Sequence, residues 1–84
     1  MSGQTEDLRG LVEVMVRPLV EHEEDLDVTA GETDEGTILV EIRVHEDDVG
    51  KVIGRQGRVI KAIRTLARAS ASHSDAHVDV ELID

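Results

Sequence analysis

An 84-residue chain with no Phe, Tyr or Trp has to build its interior from aliphatic side chains alone. Val, Ile, Leu and Ala must supply every apolar face. A chain this short forms one domain and buries roughly 60–65% of its unfolded surface, enough for one small core. The missing aromatics also remove modules that read single strands by stacking bases on aromatic platforms. Cysteine is absent too, which excludes a disulfide framework, a thiolate zinc site and a cysteine nucleophile, and fits a reducing cytoplasm. No apolar run is long enough for a membrane span or a signal segment.

Apolar periodicity divides the chain into alternating elements. Residues 1–5 read as a disordered start, with Thr5 as a plausible cap for a helix over about 6–22. Leu8, Leu11, Val12, Met15, Val16, Leu19 and Val20 form its apolar stripe, and Pro18 predicts a kink or an early end. Residues 26–31 alternate weakly and predict a short edge strand. Residues 37–44 alternate strongly, with Ile38, Val40, Ile42 and Val44 on one side. Glu46, Asp47 and Asp48 then make an acidic first turn for a short helix carrying Val49, Val52 and Ile53. A longer helix starts near Arg58, with Val59, Ile60, Ala62, Ile63, Leu66 and Ala67 on its apolar side. Residues 69–76 read as a loop or a fraying helix end. Residues 77–83 predict a last strand with Val78, Val80 and Leu82 inward. The order is αββααβ, a two-layer α+β fold in which helices cover one face of the sheet. It occupies residues 6–84 as a single domain.

Net charge argues against a nucleic-acid binder, because nine Lys and Arg face nineteen Asp and Glu, leaving −10. Position reverses that argument. Residues 1–50 hold fifteen acids and three bases, and residues 69–84 hold four acids and no base. Residues 51–68 hold Lys51, Arg55, Arg58, Lys61, Arg64 and Arg68 and no acid at all. With a Debye length of about 8 Å at physiological salt, a bound polyanion responds to the local patch more than to distant acids.

Inside that patch, Gly54-Arg55-Gln56-Gly57 joins the two predicted helices. Glycine permits positive φ and lets a ligand backbone approach closely. The loop opens onto a helix N-terminus, where free N–H groups favour an anion. Arg55, Arg58 and Lys61 add positive charge, and Ile53 and Ile60 add apolar surface. The combination suits a phosphodiester backbone with bases lying over aliphatic side chains, and nothing in it suits bond breaking.

The segment resembles the KH domain, whose signature is an I-G-x-x-G loop between two helices in a βααβ core, here residues 37–83. The helix and strand before that core resemble the type II arrangement, which implies a three-stranded mixed sheet with the strands flanking the loop parallel. From about residue 8 to 83, with Asp48 to Gly57 and Lys61 to Leu66 carrying the motifs, the chain is similar to the KhpA family of small bacterial RNA-binding proteins. The resemblance implies that Gly54, Arg55, Gln56 and Gly57 clamp about four unpaired nucleotides. It implies a groove floor at Ile53 and Ile60, phosphate contacts from Arg58 and Lys61, and a far wall or underlying core at Val78 and Val80. Lys51, Arg64 and Arg68 are then peripheral steering charges. It further implies a non-enzymatic RNA chaperone or post-transcriptional regulator, linked to cell elongation and division. Its partners would be single-stranded RNA and a second copy or a KhpB (Jag or EloR)-like KH protein.

Other constellations carry less. His73, Asp75 and His77 have ligand-like spacing but fall in a loop, so no metal is expected there. Asp47 with Asp48, and Glu23 with Glu24, read as exposed dipole partners or solubilising charge rather than catalytic pairs. No catalytic residue and no cofactor is expected. The alternative to RNA binding is a protein–protein adaptor that docks through the face around Ile60, Ile63, Leu66 and Ala67.

Overall fold

The computed structural model describes residues 3–72, 74 and 76–83. The elements run α1 (Gly3–Val16), β1 (Asp27–Glu32), β2 (Ile38–Arg43), α2 (Val49–Ile53), α3 (Arg58–Ser70) and β3 (Val78–Ile83), with single 3-10 turns between several of them. The sheet order is β1-β2-β3. β1 pairs antiparallel with β2, from Asp27 opposite Arg43 to Glu32 opposite Ile38. β3 pairs parallel with β2, with Ile38 opposite Val78 and Ile42 opposite Leu82. A parallel neighbour requires a crossover, and α2 and α3 provide it. The mixed sheet and the αββααβ order agree with the sequence reading.

The alternation read from the sequence is realised in the burial of each strand. Ile38, Val40 and Ile42 on β2, Val78 and Val80 on β3, and Val28 on β1 point into the core. Leu8, Val12 and Val16 from α1 and Ile60, Ile63 and Ala67 from α3 meet them there, with Val52 from α2. Every one of these side chains is aliphatic, as a chain without aromatic residues demands.

Two boundaries differ from the sequence reading. α1 starts at Gly3, so Gly3, Gln4 and Thr5 are helical rather than a disordered start. Thr5 is fully buried inside the helix and is not its cap. At the other end α1 stops at Val16, and Pro18 sits in the 3-10 turn Arg17–Leu19. A proline deeper in the α-helix would lack an N–H and press its ring on the preceding turn, so the chain tightens and leaves. The buried stripe of α3 is also narrower than predicted. Ala62 and Leu66 face outward, with Leu66 53% exposed.

Candidate nucleic-acid interface

The loop between α2 and α3 is built from left-handed backbone. Gly54 has φ 77° and ψ 173°, a conformation nearly confined to glycine. Gln56 (φ 58°, ψ 24°) and Gly57 (φ 74°, ψ 15°) follow in the αL region. The two glycines serve different ends. A Cβ on Gly54 would lie 2.3 Å from Val59 Cγ2 and 2.9 Å from Val59 N, so its lack of a side chain lets α2 and α3 close on each other. A Cβ on Gly57 would meet nothing within 4 Å, so that glycine answers to backbone conformation alone. Gln56 is the one non-glycine residue at positive φ among the described residues. Changing it to glycine should therefore raise stability by about 0.5–1 kcal/mol, read as a higher melting temperature.

No side-chain hydrogen bond caps α3 at Gly57; the Arg58 N–H closes the 3-10 turn on Arg55 O, and the next amides of the first turn, which have no intrahelical acceptor, face the loop. Arg55, Arg58 and Lys61 surround this end, all exposed, and none joins a salt bridge among the described residues. Arg58 donates to Gln56 Oε1 at 3.1 Å, which braces the loop. The three arginines of residues 1–50 are neutralised. Arg9 pairs with Glu6 and Glu13, Arg17 with Glu13, and Arg43 with Glu41. Free positive charge is thus concentrated where the amides and the glycines are.

Several predicted site residues stand differently. Ile53 is 38% exposed beside the loop, whereas Ile60 is buried in the core and supports the surface from below. Val78 and Val80 are core residues, one of the two positions expected for them. The charge of Lys51 is compensated locally, because its Nζ lies 2.6 Å from Glu21 Oε1 and 3.4 Å from Asp48 Oδ1. Glu21 raises the Lys51 pKa and keeps the amine charged but locally compensated. Arg64 and Arg68 reach across to β3. Arg64 Nε donates to Val80 O at 3.1 Å and Arg68 Nε reaches Val78 O at 3.5 Å, so both lie along the unpaired edge of β3. Beside Arg68 an open recess of about 350 Å³ is lined by Ala76, His77, Val78 and Asp79. His73 and Asp75 lie outside the described residues, and His77 is exposed.

Sequence reasoning missed Asp48. Expected as an exposed dipole partner, it is fully buried. Its carboxylate accepts from Glu21 N (3.1 Å), His22 N (3.0 Å) and His22 Nδ1 (3.2 Å). Burial pushes the Asp48 carboxyl up, but these hydrogen bonds outweigh it and hold the group well below the usual carboxylate range. The pairing with Asp48 raises the His22 pKa. The His22 ring in turn stacks on His45, with centroids 3.9 Å apart. The cluster joins two segments far apart in sequence, residues 21–22 and 45–48, and only the fold brings them together.

Two short helices joined by a glycine-flanked loop, packed on a sheet whose loop-flanking strands run side by side and parallel, define a type II KH domain. A family model described as "KhpA/KhpB, KH domain" matches residues 9–82, and the chain belongs to that family. RNA-binding protein KhpA of Listeria monocytogenes is 43% identical over 74 residues, covering 88% of this chain and 96% of the relative. The Bacillus subtilis protein of the same name is 44% identical over 77 residues, covering 92% and 94%. KhpA of Borreliella burgdorferi is 43% identical, covering 88% and 89%. Among solved structures, Aquifex aeolicus Era superposes with a TM-score of 0.60 at 14% identity. That match covers 99% of this chain and a third (33%) of the Era chain, and it speaks for the fold.

Proposed function

We propose that the protein binds single-stranded RNA, without catalysis, through Gly54, Arg55, Gln56 and Gly57. The observation that carries this reading is the coincidence of three things at one helix end: an N-terminus without a side-chain cap, left-handed loop backbone, and the cations Arg55, Arg58 and Lys61 with no acid partner among the described residues. The relatives named as RNA-binding proteins support it. Gly54 lets α2 and α3 close on the loop, Gly57 gives the sugar–phosphate backbone close access, Arg58 and Lys61 contact phosphates, and Ile53 lies under the bases over the buried Ile60. Arg64 and Arg68 flank the same groove from the β3 side. Few base edges are reached, so selectivity is low, which suits an RNA chaperone or a post-transcriptional regulator in the cytoplasm, with the link to cell elongation and division that the family resemblance implies. Among the described residues no helix is long and apolar enough to cross a membrane.

The test is the double substitution Arg55→Asp and Gln56→Asp, followed by fluorescence anisotropy with a labelled unstructured oligoribonucleotide. Aspartate tolerates the αL backbone at position 56, so the fold is retained. Binding should be lost while the melting temperature stays close to the parent value. Unchanged affinity in the folded variant overturns the clamp. In the parent protein, neutralising three or four phosphates predicts a log K against log[salt] slope of about −2 to −3. A flat salt dependence favours the second reading.

That second reading is an adaptor subunit, pairing with another copy or a KhpB-like KH protein. Leu66, 53% exposed on α3 with Ala62 beside it, is the observation behind it. Dimerisation and RNA binding are compatible, since two weak clamps on one strand gain avidity. Light scattering with and without RNA separates the two readings.

A further inference from the structure

We propose that His22, His45 and Asp47 form a binding site for a zinc-class divalent transition-metal ion, separate from the RNA loop. His22 lies in the connection from α1 to β1, and His45 and Asp47 in the connection from β2 to α2. One ligand atom from each of the three lies within 4.8 Å of the others. A tetrahedral ion holds its ligands at about 2.0–2.2 Å, which places them roughly 3.4 Å apart, so closing the site needs shifts on the order of 1 Å. Two imidazoles and a carboxylate suit Zn²⁺, Ni²⁺ or Co²⁺ rather than Mg²⁺ or Ca²⁺.

The buried Asp48 supplies the supporting geometry. Its oxygens, which already accept the Glu21 and His22 backbone N–H groups, face His22 Nδ1 at 3.2 Å, so Nδ1 is taken up by the carboxylate and Nε2 is the ring nitrogen left for an ion. A carboxylate behind a histidine that frees the other ring nitrogen is the usual outer support of a metal-bound imidazole. His45 Nδ1 accepts from Asp47 N at 3.0 Å, so its lone pair lies on the Asp47 side, 3.6 Å from Asp47 Oδ2. Both rings are about one third exposed and the Asp47 carboxylate is 68% exposed, so an ion can enter from solvent. The Asp48 carboxylate 3.2 Å from His22 Nδ1 places negative charge directly behind the site, which favours a cation there.

Binding has a cost that sets its strength. The rings stack with only 13° between their planes, and parallel rings do not aim two lone pairs at one point. His45 must turn and release the Asp47 N–H. The site is therefore weaker than a preformed three-ligand site, and binding ties the α1–β1 connection to the start of the α2 arm.

The experiment is a calorimetric titration of ZnCl₂ into the full chain without RNA, with histidine side-chain NMR on the same samples. One ion per chain is expected, with the His22 and His45 rings shifting together and MgCl₂ producing no shift. His45→Ala and Asp47→Ala should each weaken binding at least about tenfold, and His77→Ala should leave it unchanged. Asp47 is exposed, so Asp47→Ala keeps the fold and the test stays decisive if a histidine variant unfolds. No binding up to millimolar ZnCl₂, or binding that survives both substitutions, or binding that is lost in His77→Ala, overturns the proposal. Because RNA is absent, failure here is independent of the RNA clamp.

Discussion

Replacing Asp48 with alanine should lower the melting temperature by more than about 10 °C, followed by circular dichroism. The side chain is fully buried and four donors converge on it. Glu21 N and His22 N point at its two oxygens, and His22 Nδ1 and Lys51 Nζ complete the set. Alanine leaves two backbone amides and an imidazole facing a void in place of an acceptor, and a buried donor without a partner is far more damaging than the loss of an exposed contact. Asparagine should fall between the two, because it keeps one acceptor oxygen and presents an NH₂ where the other stood. The neighbouring Asp47→Ala gives the contrast. Its carboxylate is exposed, and its removal should move the transition by no more than a few degrees. Equal melting of the Asp48→Ala and Asp47→Ala variants would show that the two acids are equivalent surface charges.

That contrast marks where the sequence stops being legible. Asp47 and Asp48 are adjacent acids with the same helix-end pattern, and nothing local distinguishes them. The distinction comes from residues 21 and 22, which the fold brings over the start of α2. Period-2 alternation in residues 38–43 and 78–83, by contrast, is a local pattern that a half-buried strand enforces at every other position, so both strands and their inward faces were readable. The loop was readable because glycine placement and the absence of acids over residues 51–68 are themselves sequence facts. The fate of individual charges was not. Lys51 is compensated by Glu21, thirty residues away, and Arg64 and Arg68 turn to carbonyls of β3 rather than outward. Helical spacing also overstated the apolar face of α3, because Leu66 fits the stripe by periodicity while the sheet beneath reaches only Ile60, Ile63 and Ala67.

The two glycines of the loop should differ sharply when each is changed to alanine. Gly54→Ala should lose about 2–5 kcal/mol in denaturant unfolding. A methyl there meets Val59 Cγ2 at 2.3 Å, Val59 Cβ at 2.8 Å and Val59 N at 2.9 Å, so backbone as well as side chain must move. Overpacking of that kind costs about 1–3 kcal/mol, and the φ 77°, ψ 173° backbone adds a comparable penalty for any residue with a Cβ. For a domain of this size, with total stability on the order of 4–13 kcal/mol, that is enough to bring it near unfolding. Gly57→Ala has open space around its Cβ and an ordinary αL backbone, so it should lose only about 1 kcal/mol. The pair also separates fold from binding. Gly57→Ala leaves α2 packed on α3 while placing a methyl at the mouth of the uncapped helix, so RNA affinity should fall more than stability does. Gly54→Ala should reduce both together, because relieving the contact with Val59 pushes α2 away from α3 and moves the first-turn amides relative to the loop. Similar losses of stability in the two variants would mean that the loop relaxes freely around position 54, and that the close approach of α2 and α3 is not what fixes glycine there.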